Sequence, residues 1–231
     1  MRLFGKTAVA GVIAALLTML PAVASAENLI PSKRLVLSEN TDLPGGDLAS
    51  IFDTTLEPCQ RACLSNKSCT AFTFNTRNGS CFVKSGQGEP AFFQGAYSGI
   101  VLTSDPALEV VAKKRAAELG FVADWEYSGI TGQAANLANA HVTNAFTAEE
   151  HLAAAADAEL RGEYDVASRY AGAALNLTDS ADGWAEYARL LLAAGGMNTS
   201  NQRYFNDQSY QASVNAYLRA DNKPLQHTIL A

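Results

Sequence analysis

The residues most able to do chemistry are the four cysteines: Cys59, Cys63, Cys69 and Cys81 fall within 23 residues of one another. Four thiols in such a cluster offer two outcomes, a pair of disulfides or a tetrahedral zinc site. Zinc sites of this composition use two C-x2-C-like knuckles, whereas the spacings here are C-x3-C, C-x5-C and C-x11-C. An even count behind an export signal favours disulfides, and cysteines so paired cannot serve as nucleophiles. The histidines His141, His151 and His227 belong to no H-E-x-x-H or other ligand-spaced pattern. Glu149-Glu150-His151 has the composition of a base cluster, but it opens a predicted helix. Acids there complement the helix dipole, and the histidine is expected on the surface. G-x-S-x-G, P-loop and G-x-G-x-x-G motifs do not occur. No catalytic residue, metal or cofactor is therefore expected. Of the aromatic residues, Phe72, Phe74 and Phe82 alternate on predicted strands and read as core. Phe92, Phe93 and Tyr97, on a predicted loop beside Gly95, are the candidate ligand contacts.

The elements that position these residues begin with a leader. Arg2 and Lys6 precede an apolar run from Thr7 to Leu20, then Pro21 and the small residues Ala22 to Ala26. That is the layout of a secretory signal peptide cleaved after Ala26, and it lacks the roughly 20 uninterrupted apolar positions of a spanning helix. Cleavage removes two of the 17 basic residues and none of the 23 acidic ones, leaving a formal charge of −8. An acidic chain is a poor partner for nucleic acid. Lys33 to Ser38 alternates as a strand, and Asp42 to Gly46 is a turn. A helix starts near Thr54 or Thr55, with Pro58 tolerated in its first turn. Cys59 and Cys63, four apart, leave one face of that helix. Thr70 to Asn75 and Ser80 to Lys84 flank the hairpin signal Asn78-Gly79. Because the helix end lies nearest the first hairpin strand, the nested pairs Cys63–Cys69 and Cys59–Cys81 are expected.

The run Asp42-Leu43-Pro44-Gly45-Gly46-Asp47-Leu48, the helix Asp53 to Cys63, the strand Cys69-Thr70-Ala71-Phe72-Thr73-Phe74-Asn75 and the strand Cys81-Phe82-Val83-Lys84 occur in an order that resembles a PAN/apple domain. The resemblance covers residues 33–103, closing with a strand over Tyr97 to Leu102. It implies an extracellular adhesion module that binds proteins or carbohydrates without catalysis. The outer cysteine pair that joins the ends of many such domains is absent here, so the termini of the module are unstapled.

Beyond Pro106 the composition becomes alanine-rich. Pro106 opens a helix with Leu108, Val111, Ala112 and Leu119 on one stripe, and Lys113, Lys114 and Glu118 away from it. Residues 104–147 read as a helical connector with a short helix over Gln133 to His141. From Ala148 a pattern recurs: Tyr164, Ala167, Ala171 and Ala174 share their offsets with Tyr210, Ser213, Tyr217 and Ala220. With Trp184 and Ala188 between them, residues 148–222 resemble two tetratricopeptide repeats, a plain stack of antiparallel helical hairpins being the alternative. The units are 46 residues apart instead of about 34, and the excess is expected in a loop over Gly195 to Asn206. The last helix, Gln208 to Ala220, has no polar capping helix after it, which predicts that its surface meets a partner, another copy or further chain beyond this sequence. Residues 223–231 form a tail. The order of segments, with Trp184-Ala185-Glu186-Tyr187-Ala188-Arg189-Leu190-Leu191-Leu192, resembles the N-terminal portion of bacterial alpha-2-macroglobulin-family proteins, although no C-x-E-Q thioester motif is present.

The fold class expected is α+β: a small disulfide-bonded PAN/apple module, a helix on an antiparallel sheet, followed by an all-α, tetratricopeptide-like region. The leading function is a periplasmic or extracellular, non-enzymatic binding module for a protein or carbohydrate ligand, with a larger envelope protein as a further partner. An accessory or truncated member of the alpha-2-macroglobulin-like protease-trapping family, and a cell-wall or glycan-processing enzyme, are the alternatives. Asn66, Asn78, Asn176 and Asn198 begin N-x-[ST] sequons, of consequence only in a glycosylating compartment.

Overall fold

The computed structural model describes residues 28–137 and 147–221. The leader with its cleavage site at Ala26, His141, His227 and the tail 223–231 lie outside the described residues. The chain forms β1 (Lys33–Asp42), β2 (Asp47–Ile51), α1 (Leu56–Ser65), β3 (Ala71–Asn75), β4 (Ser80–Lys84) and β5 (Ala91–Thr103). Then come α2 (Pro106–Ala116), α3 (Glu126–Asn136), α4 (Ala148–Leu160), α5 (Tyr164–Leu177), α6 (Ala181–Met197) and α7 (Gln202–Arg219).

The five strands make one antiparallel sheet in the order β1-β5-β3-β4-β2. Alternation sends Leu35, Leu37, Phe72, Phe74, Cys81 and Val83 to one face, where they meet Cys59 and Cys63 of α1. The helix begins after Thr55, which holds the cap position in extended conformation without a side-chain bond. It ends where the Asn66 side chain accepts from the Ser68 amide, turning the chain toward Cys69. Gly99 sits opposite Phe72 across the β3–β5 ladder; a Cβ there would lie 2.3 Å from Phe72 Cε1. The glycine lets the phenyl ring lie flat across β5. Phe82 departs from the expected core set: it pairs with Thr73 on the opposite face and is only half-buried, because successive strand residues alternate sides.

Small side chains set the helical packing. Ala155 and Ala158 of α4, Ala167 and Ala171 of α5 and Leu190 of α6 form one buried cluster. Thr147 and Glu150 close a capping box at the start of α4. The loops 161–163, 178–180 and 198–201 are short, so successive helices α4 to α7 run antiparallel. Four expectations need correction. The connector helix starts at Glu126, not Gln133. The predicted loop Gly195 to Asn206 is helical except for residues 198–201, so the excess length lies in longer helices. The final helix begins at Gln202 and is no open end. It is sandwiched between α6 and α2 with α3, and its Val214, Tyr217 and Leu218 pack with Leu29, Ile30, Ala112 and Ile130. His151, expected on the surface, is 1% exposed, because it faces the α5 side of α4, with its ring 6.2 Å from that of Tyr170.

One carboxylate joins the sheet to the helices. Asp179, in the α5–α6 loop, accepts from Arg219 Nε at 2.6 Å and from Trp184 Nε1 at 2.7 Å, and lies 3.5 Å from Arg34 of β1. The Arg219 guanidinium stacks 4.9 Å from the Trp184 ring. Arg34 also donates to the Leu175 carbonyl, and Asn176 Nδ2 donates to the Leu35 carbonyl at 3.3 Å. Helix α5 thereby ties to β1, an edge strand of the sheet.

Two outcomes follow from these buried groups. Asp179→Ala strands two buried guanidinium groups and is expected to cost about 3–5 kcal/mol in urea unfolding, with the sheet and the helices losing protection together. Burial lowers the His151 pKa below its ordinary value, with Glu150 opposing, so the folded chain binds fewer protons than the unfolded one. The stability this contributes is fully present above the unfolded value of about 6.5 and is lost as pH falls below it. Wild type minus His151→Phe, compared by denaturation at pH 7.5 and 5.5, should show that loss; a difference that stays flat with pH rules it out.

Candidate binding face of the sheet

The disulfides join Cys59 to Cys81, with Cα atoms 5.7 Å apart, and Cys63 to Cys69, with Cα atoms 5.3 Å apart. The first clamps the middle of α1 onto β4, and the second fixes its C-terminal part to Cys69, two residues before β3. One face of the sheet is thereby committed to α1. The other face carries Ser38, Thr73, Phe82, Lys84, Ser98 and Ile100, as the strand registers require.

The residues following β1 fold across part of this second face and are held by a chain of hydroxyls. The Leu43 amide donates to Thr73 Oγ1 at 3.2 Å, Thr73 and Ser98 hydroxyls meet at 2.7 Å, and Ser98 Oγ donates to the Thr41 carbonyl at 2.8 Å. All three groups are buried, so the bonds also discharge a desolvation cost. Toward the far edge Lys84 is buried beneath the turn: it pairs with Asp47, donates to the Gly45 carbonyl and lies 5.7 Å from the Phe82 ring. The lysine in the Cys81–Lys84 strand is thus a clamp on the Gly45–Asp47 turn.

Between the folded-over segment and β5 lies a groove of about 390 Å³, lined by Ser38, Thr41, Leu43, Ala91, Phe92 and Ile100. Phe92 stands at its rim, 81% exposed. The hydroxyls of Thr73 and Ser98 are consumed within the fold, so the surface offered to a ligand is mainly apolar. A matched irregularity builds the rim. Asn40 bulges from β1 at φ 52° and its Oδ1 accepts from the Gly95 amide, while Gly95 itself takes φ 85°. Four residues of β5 thereby lie against one of β1, between the pairs Glu39–Tyr97 and Thr41–Phe92.

That bulge divides the three aromatic residues singled out from sequence. They lie on β5, not on a loop. Phe92 reaches the groove. Tyr97 pairs with Phe74 on the α1 face, and the Phe93 ring lies 5.7 Å from the Arg77 guanidinium. Leu43, Ser38 and Ile100 were not anticipated as groove residues. Leu43 sits in a segment whose only local signal is a turn, and nothing in the spacing shows that this turn folds over the sheet. Among the described residues no group of three His, Cys, Asp or Glu side chains is placed to hold a metal ion.

Thr73→Val removes the acceptor of the Leu43 amide and the donor to Ser98. It is expected to cost about 1–3 kcal/mol and to speed hydrogen exchange at Leu43 well beyond that at Val83. Unchanged exchange at Leu43 would show that the hydroxyl chain does not hold the groove wall.

In comparison with known proteins, no curated protein matches the chain, so the wider resemblance to the bacterial alpha-2-macroglobulin family has no relative behind it. Residues 34–104, under a third of the chain, match the family described as PAN domain, and the disulfide-bonded sheet with its single helix is that PAN domain.

Proposed function

We propose that this chain is an exported binding protein without catalytic activity, whose PAN domain holds a protein or carbohydrate ligand against the groove at Phe92. PAN domains are protein- or carbohydrate-binding modules. The observation that carries the site is the exposed Phe92 ring beside a groove on the sheet face that α1 leaves open. A large aromatic side chain held on a strand gives contact area at little entropic cost, which is why such residues dominate binding hot spots. Two disulfides and the signal-like leader support a periplasmic or extracellular location, and no described helix is long and apolar enough to cross a membrane. The helices act as a tetratricopeptide-like scaffold that presents the domain.

The test compares wild type with Phe92→Ala on a glycan array and against envelope and extracellular proteins. The variant should lose at least about tenfold in affinity for whatever the wild type retains, while its melting temperature stays the same because the ring is exposed. Equal binding by the two proteins would move the ligand site elsewhere.

A further inference from the structure

A second surface, independent of the PAN domain, lies on the helices. α7 forms the floor of a groove of about 230 Å³ whose walls are Leu192 of α6 on one side and Leu119 with Phe121 of the α2–α3 connection on the other. Phe121 is 61% and Leu192 58% exposed, and Trp125, Met197 and Tyr204 are further exposed apolar residues on the same elements or beside them. The floor residues Asn206, Tyr210, Ser213 and Tyr217 are spaced by one helical turn each, giving the groove a length of about 16 Å along α7. A helix laid in it presents its own side chains at the same repeat.

Carboxylates border the groove, and Arg115 lies over its Tyr217 ring at 5.4 Å. The Tyr210 hydroxyl donates to Glu126 at 3.2 Å and the Tyr217 hydroxyl to Glu118 at 2.6 Å. Burial, followed by the nearby Glu126, raises the Tyr210 pKa above its ordinary value, with Asp207 adding to it. Arg115 pairs with Glu118. No ion pair among the described residues engages Asp124, Glu126 or Asp207. A groove with apolar walls and acidic flanks selects a partner with the opposite arrangement.

We propose that this groove docks an amphipathic helix of about three turns from a partner protein, with an apolar stripe flanked by lysine or arginine. The stripe enters between Phe121 and Leu192, and the basic residues lie over Asp124, Glu126 and Asp207. This assignment does not depend on what the PAN domain binds, so the two stand or fall separately.

The full chain is titrated by fluorescence anisotropy with three fluorescein-labelled peptides of about five turns, roughly 18 residues. One carries a leucine stripe flanked by lysine, one the same stripe flanked by glutamate, and one the lysine composition with the stripe scrambled. The lysine-flanked peptide should bind and the other two at least about tenfold more weakly. The double variant Phe121→Ser/Leu192→Ser should lose about tenfold, and Asp124→Asn/Asp207→Asn should lose severalfold and flatten the salt dependence. All four positions are exposed, so unchanged circular dichroism melts separate a docking defect from misfolding. Equal binding of the scrambled peptide, or full binding by the serine variant, overturns the proposal. A dimer in sedimentation that the serine variant dissolves also overturns it, by assigning the face to a second copy of this chain.

Discussion

A five-stranded sheet has two faces and two edges, and a single ten-residue helix can bury only one of those faces. Most of the structure answers that shortage. The disulfides commit α1 to the face lined by Phe72 and Phe74, which a domain of this size would otherwise hold with a small apolar core alone. Edge strand β1 is met by α5, where the Asn176 amide reaches the Leu35 carbonyl, removing one site at which unpaired backbone invites aggregation. What remains uncovered is the part of the second face that the Thr41–Leu43 segment and the Gly45–Asp47 turn do not cross, and it is there that the groove and Phe92 lie. Elements that are already fixed around an open face need no ordering on binding.

The parts legible in the sequence are those with a short period. Leu35 and Leu37, Phe72 and Phe74, and the small residues Ala167, Ala171 and Ala174 announce which side of a strand or helix is inside, and each is buried. The joint at Asp179 was illegible because Arg34 lies 145 residues before Asp179 and Arg219 40 residues after it, with no spacing signal. The same holds for His151, whose position at a helix start predicts a surface residue until α5 is known to pack over it. Phe92 and Tyr97 look equivalent beside Gly95. Only the bulge facing Asn40 sends one to the groove and the other to the α1 face.

The position of α7 shows how a solenoid-like pattern misleads. A terminal helix in a stack has one neighbour and one exposed face. Here the chain returns: Leu29 and Ile30 donate their amides to the Glu109 carboxylate of α2 and pack with α2, α3 and α7. The α2–α3 region serves as a cover over α7, and the apolar groove left open beside α7 runs between Phe121 and Leu192.

The charge count at the joint explains why it acts as a specific contact more than as a source of stability. Two guanidinium groups share one carboxylate, and burial lowers the pKa of both Arg34 and Arg219 against the attraction of Asp179. Arg34 Nε and Asn176 Oδ1 are buried with no hydrogen-bond partner in the structure, a cost that a purely apolar contact would avoid. An apolar joint, however, would tolerate sliding of β1 along α5. The directional bonds from Arg34 to Leu175 and from Asn176 to Leu35 do not. Fixing that register fixes the strand whose far end bulges at Asn40. Through the bond from Gly95 to Asn40 it also fixes the stretch of β5 that carries Phe92.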